Sequence, residues 1–161
     1  MIMIIKLCFA FIATVGFGII INIPHRALLI AGSIGTVTWF IYWALINLNF
    51  GIALTNLLAS VAIGILSDIA ARRMKMPMLI FNIPSLVPLV PGGQAYQMVR
   101  NIALGNAAQG MRFLTEVIEI TGSIAIGFLI AELLNKLWKK LLLKGSSSRS
   151  TDDLIQGRSP Y

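Results

Sequence analysis

The segment Asn82-Ile-Pro-Ser-Leu-Val-Pro-Leu-Val-Pro-Gly-Gly-Gln-Ala-Tyr96 is apolar, yet Pro84, Pro88, Pro91, Gly92 and Gly93 interrupt it. Proline has no backbone N–H, so a helix through this stretch leaves the carbonyls of Ile80, Pro84 and Val87 without their usual donors. Long apolar runs flank it on both sides, which places the broken backbone at membrane depth. Hydrocarbon cannot satisfy a carbonyl. Such backbone is tolerated in a bilayer only where protein buries it or a polar cavity wets it. The break therefore marks a candidate ligand pathway, with a buried structural kink as the alternative.

The rest of the chain has to be a membrane domain. Hydrophobic residues make up 57% of the 161 residues and charged residues 12%, against about 25% charged in a soluble domain. Mean hydropathy is +0.85. The length holds four or five spans of roughly 20 residues, with no room for an attached soluble catalytic domain. The fold class expected is an all-α integral membrane protein of about five transmembrane segments, the fourth broken by Pro/Gly.

The spans read as Leu7–Ile23, Ala27–Ile46, Gly51–Ala70, the broken segment Met78–Val99, and Phe113–Asn135. The first apolar run is longer than a signal-peptide core and no Ala-x-Ala-like site follows, so it reads as a retained span. Residues 1–144 form the transmembrane domain, and 145–161 a polar, disordered cytoplasmic tail. Met78 to Val90 makes only about 20 Å of helix against a core of about 30 Å. The segment is thus expected as a half-helix, an unwound Pro/Gly centre, and a second half-helix from near Gln94.

Net charge is +7, but the basic residues sit at span ends, as topology signals do, and nucleic acid is excluded as a partner. With five crossings, ten Lys/Arg, from Arg26 to Arg158, share one side. Lys6, Arg100 and Arg112 lie on the other. The positive-inside rule puts the N-terminus outside and the C-terminus in the cytoplasm. A re-entrant fourth segment would send the basic end of the last span outward, so the charges favour a crossing.

Chemistry-bearing groups are few. Cys8 and His25 are the only residues of their kinds, which leaves no disulfide, Cys-based metal site or His cluster. No nucleophile–base pair, phosphate loop, metal-ligand set or cofactor motif is present, so the chain reads as a non-enzyme. An unwound segment offers carbonyls to cations, and a new helix start offers N–H groups to anions, a pairing that suits a zwitterionic amino acid. Pro84, Pro88, Pro91, Gly92, Gly93 and Tyr96 are the pathway candidates, with Asn82 and Ser85 as added polar contacts. Asp68, Glu116 and Glu119 are candidates for proton coupling, since ionisable groups near membrane depth are often functional. Their alternatives are an Asp68–Arg72 ion pair and solvated interfacial carboxylates. Asn22-Ile-Pro-His-Arg26 is a weaker break, better read as a helix stop. Small residues four apart (Ala31/Gly35, Ser60/Gly64, Ser123/Gly127/Ala131) signal close helix packing. Trp39, Tyr42 and Trp43 read as an interfacial aromatic belt.

Gly16-Phe-Gly-Ile-Ile-Ile-Asn-Ile-Pro-His-Arg-Ala27, Gly32-Ser-Ile-Gly35 and Ile83-Pro-Ser-Leu-Val-Pro-Leu-Val-Pro-Gly-Gly-Gln-Ala-Tyr96 resemble the threonine/serine exporter (ThrE-like) family, over roughly residues 10–140. The match is to its small, split subunit, which corresponds to the C-terminal membrane half of the fused exporters. The resemblance implies export of threonine or serine from the bacterial cytoplasmic membrane, driven by the proton motive force through alternating access. It also implies a larger membrane subunit as partner, and a higher oligomer is compatible with it. Succinate export and a non-transporting membrane scaffold are the alternatives. No family residue set is carried over.

Overall fold

A computed structural model of the chain describes residues 2–155. Among these the order is α1 (Ile2–Ile20), α2 (His25–Asn47), α3 (Ile52–Met74), α4 (Leu79–Leu86), a 3-10 turn (Val87–Leu89), α5 (Gly92–Ala103) and α6 (Ala107–Ile155). Helices α1, α2, α3 and the part of α6 from Ala107 to Trp138 are long and apolar enough to cross a membrane, and Leu79–Leu89 adds a shorter apolar helix. This is an all-helical membrane protein of about five segments. The polar stretch expected as a disordered tail continues α6 as helix to Ile155, while 156–161 lie outside the described residues.

Most buried helix hydroxyls are satisfied without water, Ser67 Oγ in α3 being buried with no partner. Thr14, Thr36, Thr38 and Ser123 donate to the carbonyls four residues back, at Ala10, Gly32, Ile34 and Glu119. In hydrocarbon this back-bonding removes the cost of an orphan hydroxyl.

Four helices end alike. Asn22, Asn49, Lys75 and Gly105 take a positive φ of 58°, 60°, 54° and 80°. In each case the next N–H reaches back five residues: Ile23 to Gly18, Phe50 to Leu45, Met76 to Ala71, and Asn106 to Asn101. The reversal consumes carbonyls that a helix end leaves open. The weaker break at Asn22–Arg26 is therefore a helix stop, and α1 ends at Ile20, short of the expected Ile23.

Packing follows the small residues. A Cβ added at Gly18 would lie 2.9 Å from Leu28, one at Gly32 2.7 Å from Val15, and one at Gly35 would collide with Thr14. As numbering rises in α2 it falls in α1, so these two helices are antiparallel. For α3 and α6 the reverse holds. A Cβ at Gly127 would collide with Ser60 and come 2.6 Å from the Leu57 carbonyl; one at Gly64 would collide with Ala131. Asn135 Nδ2 donates to the Gly64 carbonyl at 3.4 Å. Positions 57–64 thus meet 127–135 in the same order, and α3 and α6 run parallel. Residues 75–106 must therefore carry the chain back from one end of α3 to the other.

They do so unevenly. Phe81 lies in a core with Ala27, Ala31, Ala70 and Ala71 near the C-terminal end of α3. Leu89 lies with Ala59, Ile63, Ile120 and Ile124, further back along α3. The short unit Leu79–Leu89, about 16 Å long, covers about half the length of α3. On the Ser60–Gly127 register, α6 starts about 18 Å before the level of Ile52. Helix α5 packs along this overhang, where Ile102 sits against Gly110, and none of its residues is buried.

Candidate functional site

The Pro/Gly segment is more regular than its sequence suggests. Pro84 sits inside α4, and Val87 N–H donates to the Pro84 carbonyl. Val90 N–H donates to the Val87 carbonyl at 3.3 Å. Two of the three carbonyls expected to be left open thus gain donors three residues on, because the chain tightens into a 3-10 turn. Only Val90 and Pro91 leave helical geometry. Val90 is extended, with φ −63° and ψ 130°. Pro91 has φ −77° and ψ 49°, and Gly92 N–H bonds to the Val90 carbonyl across it at 2.8 Å. This is an inverse γ-turn. The second half-helix begins at once, at Gly92, two residues before the expected start near Gln94.

The expected pathway residues divide among four environments. Pro84 and Ser85 are buried in the bundle, where Ser85 Oγ donates to the Ala31 carbonyl at 3.0 Å and ties α4 to α2. Pro88 is half-buried in the 3-10 turn, and Pro91 is half-buried at the break. Gly92, Gly93 and Tyr96 face outward. A Cβ at either glycine meets nothing within 4 Å, and Tyr96 is 65% exposed. Nothing in the described chain encloses this surface of α5. Tyr96, Val99, Ile102 and Leu104 leave it strongly apolar.

Asn82 alone opens elsewhere. It lines a cleft of about 600 Å³ between α4 and α6, with α3 as its floor. Met78, Leu79, Ile83, Leu86 and Phe128 give it apolar walls, and Asp68, Asn82, Glu132, Asn135 and Lys136 bring polar groups from three helices. The Asn82 Oδ1 atom is shut off from solvent and has no hydrogen-bond partner. Asp68 is buried, and its Oδ2 receives both Arg72 Nη2 at 2.5 Å and Arg72 Nε at 2.7 Å. At the rim, Lys136 Nζ meets Glu132 Oε1 at 2.7 Å.

The three proton-coupling candidates are not brought together. Asp68 shares the cleft with Asn135, whereas Glu116 and Glu119 lie on the overhang, with Glu119 exposed. Along α6, Glu119 is about 24 Å from Asn135. Asn135 and the Glu132–Lys136 pair were missed as cleft residues by sequence reasoning, although a signal existed. The four-residue rows Ser60/Gly64 and Ser123/Gly127/Ala131 each end one turn later in a polar residue, Asp68 and Asn135. Parallel packing brings those two row ends to one level.

No solved structure matches the chain. A family model described as Threonine/Serine exporter, ThrE, matches residues 6–134. The chain therefore belongs to the threonine/serine exporter family, and its multi-pass helical bundle is in keeping with that.

Proposed function

We propose that this chain is one membrane half of a two-component secondary exporter that moves threonine or serine out of the bacterial cell. A larger membrane subunit supplies the other half, and the proton motive force drives alternating access between them. One observation carries the reading. The segment that returns the chain across the bundle breaks at Val90–Pro91, and its second part presents Gly92, Gly93 and Tyr96 on an outward surface. A pathway along that surface is enclosed only when a second membrane half covers it. The helix start at Gly92 adds amide N–H groups and a positive dipole end suited to a carboxylate. The exposed apolar side chains of α5 suit a membrane-embedded partner better than water.

The Gly92→Leu variant tests this. The space around Gly92 is open, so the protein is expected to insert and fold while threonine efflux is lost. Normal efflux in that variant would sink the reading. Efflux assays that compare threonine, serine and succinate, with and without the larger subunit, separate the alternatives. Succinate flux makes the chain part of a dicarboxylate exporter, in which Arg26 or Arg100 should matter more. Absence of any flux with both subunits present leaves a scaffold.

A further inference from the structure

On α5 the polar and apolar faces are reversed. Gln94, Gln97 and Asn101 are half-buried, whereas Tyr96 and Val99 are exposed, and α6 is the element that packs along α5. An amphipathic helix packed on a single neighbour ordinarily turns its apolar side toward it. Spacings of three and four residues put the three amides in one row, which Gly93, four residues before Gln97, begins beside the break. The row ends in a pocket of about 460 Å³ at the tip of the overhang, lined by Asn101, Asn106, Ala108 and Gln109.

Helix α6 carries a second polar row. Gln109, Glu116 and Ser123 stand seven residues apart on one face. The next turn of that face is Gly127, which meets Ser60 of α3. On the Ser60–Gly127 register, Glu116 lies about 5 Å before the level of Ile52, where α3 begins. The face that packs on α3 lower down is therefore not covered by α3 at Glu116. Counted down both helices from the Ile102–Gly110 contact, Glu116 is level with position 96, between Gln94 and Gln97. The pocket that holds both Asn101 and Gln109 puts the two rows on the same side of the α5–α6 seam.

These groups have not spent their bonding capacity on each other. Among the described residues no side-chain hydrogen bond joins α5 to α6, and Asn101 Nδ2 donates to the Gln97 carbonyl within α5 at 2.7 Å. Glu116 makes no ion pair with Arg112, although four residues along a helix bring such a pair within reach. None of the three amides, nor Glu116, is among the side chains buried without a partner, so their unbonded polar atoms are accessible.

Neutral amides both donate and accept, and an unpaired carboxylate bonds an ammonium strongly. That set suits a zwitterion with a further hydroxyl. A dicarboxylate would meet a negative charge at Glu116 and no cation in the pocket lining. The positive-inside rule puts this end of the molecule outside. We propose that the α5–α6 seam is the outer section of the transport path, where Glu116 holds the ammonium of the departing amino acid and Gln94, Gln97 and Asn101 hold its carboxylate and hydroxyl. The assignment rests on the transport reading above and adds an outward-facing subsite to it.

Threonine and 3-hydroxybutyrate differ only in the 2-amino group, so the pair isolates the ammonium contact. In right-side-out membrane vesicles from the native host, loaded with labelled threonine, external unlabelled threonine drives exchange, and its half-saturating concentration reports the outer subsite. Inverted vesicles report the cytoplasmic side. Glu116→Gln is expected to raise the external value at least tenfold, to shift the cytoplasmic value far less, and to narrow the external preference for threonine over 3-hydroxybutyrate. Glu116→Asp, which keeps the charge, should preserve that preference. A wild-type external value and preference in Glu116→Gln overturn the subsite and leave the transport reading intact. An equal rise on both sides also overturns it, since a coupling or structural role has no side. Gln97→Leu, expected to raise the external value at least threefold, decides the matter if Glu116→Gln fails to fold, and a wild-type value there overturns the subsite. Wild-type vesicles that move no threonine overturn the transport reading itself, and the subsite with it.

Discussion

At Gly127 one added methyl group decides whether two helices can meet. Its Cβ would collide with Ser60 and lie 2.6 Å from the Leu57 carbonyl, a backbone atom that cannot rotate aside. Gly127→Ala is therefore expected to cost about 1–3 kcal/mol, the usual range for overpacking. It should show as a lowered thermal midpoint of the detergent-solubilised protein. Gly92, with open space around it, should accept the same change without loss of stability, so the two glycines serve different ends although sequence presents them alike. Asp68 shows the same limit from the other side. Its spacing from Arg72 announced an ion pair, and the pair forms. That Asp68 also floors a cleft with Asn82 and Asn135 depends on the register of α3 against α6, which four-residue spacing within each helix leaves undetermined.

Among the elements, the first three long spans were readable because each shows an apolar run closed by Asn or Lys at the reversal, at Asn22, Asn49 and Lys75. The break itself was also readable, since Pro91-Gly92-Gly93 cannot continue a helix unchanged. What sequence misjudged was its extent. Prolines at 88 and 91 suggested open carbonyls at Pro84 and Val87, but the chain tightens into a 3-10 turn that supplies donors from Val87 and Val90. The unwound part shrinks to Val90–Pro91. This makes Pro91 the residue that holds α4 and α5 apart. Pro91→Ala restores an N–H for the Val87 carbonyl and should let helix run through the junction. Spin labels at Leu86 and Met98 should then report a longer, narrower distance distribution than in wild type, together with reduced efflux. An unchanged distribution would show that the Gly pair alone sets the break. The overhang of α6 and the outward α5 left no sequence signal beyond length. The candidate span from Ala107 to Trp138 has 32 residues, about 48 Å of helix against a core of about 30 Å.

For the whole molecule, the parallel pairing of α3 and α6 fixes what the loops must do. In a Cys8→Ser background, cysteines at Lys75 and Gly105 should react with an impermeant maleimide from opposite faces of the membrane. The positive-inside rule puts Lys75 in the cytoplasm, so intact cells should label position 105 only. Labelling of both from one side would mean that 75–106 turns back. The contact pattern also has a mechanical consequence. Glycine at 64 and 127 lets α3 and α6 approach with only Ala131 Cβ, Ser60 and the Leu57 carbonyl at the contact, so the two helices pack as a single strut. The Ser85–Ala31 bond fastens α4 to α2 on the other side. The cleft lies between the α6 side of the strut and α4, where a shift of α4 against α6 changes the width of the opening. During a transport cycle the α4–α6 separation should therefore vary while the α3–α6 separation stays constant, which makes the strut an internal ruler for measuring the other motion.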